Sequence, residues 1–106
     1  MEYIAEAIGT FIFVSVILIS VDKFPSIAPF AIAITLLAVI FFTSNASSSS
    51  INPAVTLALW FKGESNNGLS TSKAIYYVVA ELIGAGIAVL WFRMNLPAGR
   101  TALAVA

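Results

Sequence analysis

Ser47-Ser48-Ser49-Ser50-Ile51-Asn52-Pro53-Ala54-Val55-Thr56-Leu57-Ala58-Leu59-Trp60 joins a polar run to an apolar segment through Asn-Pro. Asn at an N-cap and Pro at the first helical position are helix-start signals. The apolar part, Pro53 to about Phe61, has roughly nine residues. At ~1.5 Å per residue it measures ~14 Å, near half of a ~30 Å hydrocarbon core. A helix that begins at mid-membrane must turn its free N–H groups toward protein or water, because lipid cannot satisfy them. The stretch therefore predicts a half-helix that dips into a membrane and aims its N-terminus at a cavity.

The rest of the chain supplies that membrane setting. It has 106 residues, 60% of them hydrophobic, with only five basic and five acidic side chains. Mean hydropathy is +1.02. A soluble domain of this size carries far more charge, so the composition predicts an all-α integral membrane protein. The chain has no Cys and no His, which excludes disulfides, thiolate or imidazole metal sites and histidine acid–base chemistry. No catalytic residue, metal or cofactor is expected. A formal net charge of zero argues against a nucleic-acid partner. The first apolar segment starts at residue 3 without a basic region before it, so it does not read as a cleaved signal peptide.

Residues 1–106 read as one membrane domain. Residues 3–21 form a first span, interrupted only by Glu6, Thr10, Ser15 and Ser20. Asp22 to Ser26 is a polar turn with Pro25, and Pro29 opens a second span over 30–46. The re-entrant loop and half-helix occupy 47–61. A hydrophilic loop follows from Lys62 to Thr71, and Ser70, Thr71 or Ser72 can cap a third span over 73–92. Residues 95–106 are a tail too short to cross again. Three spans place the termini on opposite sides, and the half-helix enters and leaves on one side.

Positive residues normally set orientation. One face would hold Lys62, Lys73 and the amino terminus, and the other Lys23, Arg93 and Arg100. This balance is either chance in a small sample or a sign of dual topology, in which copies insert both ways and an antiparallel homodimer becomes available. Glu6 and Glu81 lie within spans, and an intramembrane carboxyl is a functional candidate by default. Ala5 and Gly9, and Ala80, Gly84 and Ala88, recur at four-residue spacing and allow close helix contact in lipid. Trp60, Tyr76 and Tyr77 fall near an expected interface and read as belt aromatics.

Asn52-Pro53-Ala54 followed by Val55-Thr56-Leu57-Ala58 resembles the signature of the aquaporin, or major intrinsic protein, family. Ala5-Glu6-Ala7-Ile8-Gly9-Thr10 is similar to the family's first-helix motif, and Lys73 through Ala85 to its third helix. The order and spacing agree over nearly the whole chain. Family members carry two such repeats in inverted orientation, and this chain has one, so it resembles half an aquaporin. The resemblance implies an inverted-repeat pore completed by a second chain: an antiparallel homodimer in a lipid bilayer, with eight chains forming four pores by extrapolation. It implies a passive channel for water or small neutral solutes such as glycerol, in a plasma (cell inner) membrane.

In pores of this type, opposed half-helix dipoles exclude protons and cations. Applied here, Asn52, Pro53 and Ala54 would line the junction, and Asn52 amides would donate to a passing water. Backbone carbonyls of Ser48, Ser49, Ser50 and Ile51 would accept. The resemblance also implies that Glu6 and Glu81 accept hydrogen bonds from backbone N–H groups of the re-entrant loop.

Four features depart from the family pattern. Val55 stands where the second repeat usually has a filter Arg, the filter His is missing, and the filter aromatic falls near Ile32. Serines replace a Gly-rich approach. Ile32 and Val55 would thus form an apolar selectivity constriction that admits neutral solutes or impedes water by dewetting. Leu96 to Arg100 faintly echoes the second-repeat motif with no half-helix after it. Two other readings stay open. One is a proton-coupled exporter resembling the small multidrug resistance family and using Glu6. The other is half of a heteromeric channel, or an inactive fragment.

Overall fold

A computed structural model of the chain describes residues 1–96. All regular structure among them is helical: α1 (Glu2–Lys23), α2 (Ala28–Thr43), α3 (Pro53–Lys62), a 3-10 turn (Glu64–Asn66) and α4 (Thr71–Met94). The expected tail, with Arg100 and the Leu96 to Arg100 echo, lies outside the described residues beyond Leu96.

α1 and α4, at 22 and 24 residues, are long and apolar enough to cross a membrane, whereas α2 has 16. α1 and α4 each outrun the apolar stretch of the sequence by taking in polar end residues. Glu2 in the first turn of α1 and Lys23 in its last complement the helix dipole. α2 begins earlier than expected, with Pro29 in its first turn, and ends at Thr43 instead of 46. Hydroxyls compete for the backbone there. Thr43 Oγ1 bonds the Val39 carbonyl at 2.8 Å and Ser44 Oγ bonds that of Phe41 at 3.0 Å. Residues 44–47 turn away, with the N–H groups of Ala46 and Ser47 both on the Thr43 carbonyl.

α4 runs alongside α1 in the same direction. Tyr3 packs on Tyr76 and Tyr77, with ring centroids 5.4 and 5.7 Å away. Gly84 lies against Ala7 and Phe11, and Ile19 and Asp22 share a depression with Trp91 and Asn95. Gly84 sets how closely they approach: a Cβ there would sit 2.2 Å from the Ala7 carbonyl oxygen. α2 runs the opposite way along α1 and stops where Val39 and Thr43 flank Gly9.

α3 is antiparallel to α4 and packs on it. Its C-terminal end is tied to the start of α4 by Trp60 Nε1 donating to Thr71 Oγ1 at 2.9 Å and by Leu69 N–H on the Leu59 carbonyl at 3.0 Å. Gly63, at φ 90°, ends the helix. Gly68 crosses so close to Leu59 that a Cβ would lie 2.2 Å from its carbonyl oxygen. Charges separate by end. Lys73 is 3.6 Å from Glu2, and Lys62 closes α3 at the same end, while Lys23 and Arg93 terminate α1 and α4 at the other end.

Candidate functional site

The site is built where segment 44–52 turns into α3. Asn52 caps that helix in extended conformation (φ −148°, ψ 127°), its Oδ1 accepting the Ala54 N–H at 2.8 Å, with Pro53 in the first turn. The Asn52 Nδ2 has no partner among the described residues, and Asn52 is exposed.

This N-terminus lies beside the middle of the long helices. From α1, Glu6 Oε1 accepts the Ile51 N–H at 2.9 Å and Oε2 accepts the Ser47 hydroxyl at 2.5 Å. One turn on, Thr10 Oγ1 donates to the Ile51 carbonyl at 3.0 Å. A single face of α1 therefore holds both backbone groups of one residue, as i, i+4 spacing allows. From α4, Glu81 receives the Thr56 hydroxyl, which stands 2.8 and 3.0 Å from its two carboxyl oxygens. Glu6, Glu81 and Thr56 have no exposed surface.

Two residues in the segment have left-handed backbone: Ser49 at φ 54° and Ile51 at φ 60°. For a β-branched residue this is an unusual, strained conformation, held only where surroundings over-determine it. They do so here. The clamp from Glu6 and Thr10 fixes Ile51, whose side chain packs over Gly9 so tightly that a Cβ there would lie 2.7 Å from its Cδ1. Ser49 N–H bonds Ser47 Oγ at 3.0 Å, and its hydroxyl lies 2.9 Å from Thr43 Oγ1. Ser48 N–H donates to Tyr77 Oη at 3.0 Å, and Tyr77 donates onward to Glu2 Oε1 at 2.8 Å.

The residues singled out from sequence divide into surface and support. Ser48, Asn52, Ala54 and Val55 are exposed, and Ser49 and Pro53 are half-buried. Ser50 and Ile51 stand behind that surface, only 5% and 2% exposed, and the Ile51 carbonyl is taken by Thr10. Ile32 is half-buried on α2, eleven residues before Thr43 or ~16 Å along the helix. It is therefore far from Val55 within one chain.

Glu6 takes a loop N–H, but Glu81 takes a side-chain hydroxyl of α3 instead. Tyr77, read as a belt aromatic, is fully buried; Tyr76, at 57%, and Trp60, at 36%, are exposed. Thr10, Ser47, Thr56 and Tyr77 were not singled out for the site. The signal for Thr10 was its four-residue offset from Glu6. A cleft of about 390 Å³ between α3 and α4, lined by Thr56, Leu57, Trp60, Thr71, Ile75 and Val78 among others, is apolar and contains none of the exposed site residues.

Residues 1–105 match the family model described as major intrinsic protein. The chain is 40% identical to aquaporin-5 of Sus scrofa over 89 residues, which cover 76% of this chain and 31% of that protein. It thus spans about a third of that relative's length. No solved structure matches. With two helices of membrane-crossing length and this kinship, the molecule is an integral membrane protein. The chain belongs to the major intrinsic protein family.

Proposed function

We propose that the chain is a passive channel for water and small neutral solutes such as glycerol, with its pore completed by a second copy in the opposite orientation. In this reading α1, α2 and α4 cross the plasma (cell inner) membrane and 47–61 is the re-entrant piece. The observation that carries it is the exposed Asn52 amide without a partner, at a helix N-terminus beside the middle of α1 and α4. In hydrocarbon such a group needs water or protein. The ten residues of α3 reach only ~15 Å, half a bilayer. An inverted copy supplies the other half, as in transporters built from inverted repeats.

At the junction two Asn52 amides donate to a solute oxygen, and two helix N-termini repel cations. Ser48, Ser49, Pro53 and Ala54 line the approach, with Ser50 and Ile51 as its backing. Ile32 and Val55, far apart in one chain, form an apolar constriction only across the pair, and four pores would take eight chains. Glu6 has no exposed surface and both its oxygens hold the loop, which favours a channel over a proton-coupled exporter.

Stopped-flow swelling of proteoliposomes tests this. Wild type should conduct water or glycerol faster than empty vesicles, and rates equal to empty vesicles end the reading. A Cys placed at Ser65 should label from both faces of the membrane. Labelling from one face alone rejects the antiparallel pair.

A further inference from the structure

Segment 47–51 is held from α1 by Glu6 and Thr10, but its entry is held from α4 by Tyr77. This phenol is fully buried, and its hydrogen bonds are ordered by chemistry. An ionised Glu2 carboxyl can only accept, so it takes the phenol's single proton at 2.8 Å. Lys73, 3.6 Å from the other Glu2 oxygen, holds that carboxylate in place. The phenol oxygen is then left with lone pairs alone toward the loop. It meets the Ser48 N–H at 3.0 Å, with the Ser48 hydroxyl 3.5 Å away.

The consequence lies in the Ser47–Ser48 peptide, which is trans. In a trans peptide the N–H and the preceding C=O point in opposite directions. With the Ser48 N–H drawn to α4, the Ser47 carbonyl faces away from α4. Ser49, directly after this peptide, has φ 54°, where glycine would sit without strain.

We propose that Tyr77, oriented by Glu2 and Lys73, is a positioning residue for the permeation path, turning the Ser47 carbonyl away from α4 to act as a solute acceptor. The acceptor role rests on the channel reading; the positioning does not. Tyr77→Phe keeps the ring and its packing on Tyr3, and removes only the hydroxyl. Glu2→Leu is a second variant: it removes the acceptor, which frees the phenol proton to turn toward the loop and sets it against the Ser48 N–H.

Two measurements on the full chain in proteoliposomes decide the matter. Amide exchange at Ser48 should speed up about fivefold in both variants, the loss of one hydrogen bond, with α1 and α4 protection unchanged. The glycerol-to-water permeability ratio should also shift, because an acceptor in the path has turned. Loss of folded protein would lower both permeabilities together and leave the ratio constant. Unchanged Ser48 exchange in Tyr77→Phe overturns the positioning. Faster exchange with an unchanged ratio overturns the acceptor role. If wild type conducts neither solute, the channel reading and the acceptor role fall together, and the exchange result still decides the positioning.

Discussion

Thr56 and Glu81 meet with no water access: the hydroxyl sits 2.8 and 3.0 Å from the two carboxyl oxygens, and neither residue has exposed surface. This contact fixes the first turn of α3 against the middle of α4. Thr56→Val keeps the shape and leaves the carboxyl without its hydroxyl donor. It should cost about 1–3 kcal/mol, whereas Thr56→Ser should stay close to wild type. Unfolding titrations in mixed micelles check this. Equal behaviour of the Val and Ser variants would mean that the hydroxyl contributes nothing.

Glu6 satisfies two donors, the Ile51 N–H and the Ser47 hydroxyl. Glu6→Leu orphans the Ile51 N–H and leaves the Ser47 hydroxyl only its 3.5 Å contact to the Thr43 carbonyl, and should cost roughly 2–4 kcal/mol. Glu6→Gln keeps one acceptor oxygen and should lose less than half as much. Backbone amide exchange at Ile51 should rise in the Leu variant well before global unfolding.

Ile51→Gly sets two effects against each other. Relief of the left-handed conformation is worth about 1–2 kcal/mol, and removing a buried Ile costs about 2–5 kcal/mol. Packing wins, so the variant should be less stable. Ser49→Gly loses the hydroxyl's contacts to Thr43 Oγ1 and, at 3.4 Å, to the Ile40 carbonyl, and should be near neutral because about 1–2 kcal/mol stands on each side. Thermal melts of the two variants side by side give the comparison.

Gly84→Ala and Gly86→Ala form a matched pair on α4. At Gly84 the new methyl meets the Ala7 carbonyl oxygen at 2.2 Å; at Gly86 nothing lies within 4 Å. The first should force α1 from α4 and cost about 1–3 kcal/mol, and the second should change stability by less than about 1 kcal/mol. Similar melting curves for the two would show that the α1–α4 contact is looser than the structure has it.

What the sequence disclosed was local chemistry. The Asn52 cap and Pro53 start are set by neighbouring residues, and the cap forms as those residues dictate. Glu6 and Glu81 stood out because a carboxyl inside an apolar helix has to find a donor. The donor given to Glu81 could not be read: Thr56 is 25 positions away and is an unremarkable residue in an apolar helix. Tyr77 looked like its neighbour Tyr76, and only the crossing of α1 sends one inward and the other out. The positive φ values of Ser49 and Ile51 carry no local mark, since neither is Gly, Asn or Asp. The end of α2 was misplaced because serines and threonines can continue a helix or leave it, and tertiary partners decide.

The C-terminal end of α3 is riveted to α4 through Trp60, Leu59 and the Gly63–Gly68 return. Its other end carries Asn52 and is bolted only through Thr56 and the Ile51 clamp. The helix is therefore a short lever with its pivot at the Trp60 end. A tilt of about 10° over ~15 Å swings the Asn52 tip by roughly 2.6 Å, about the width of a water molecule.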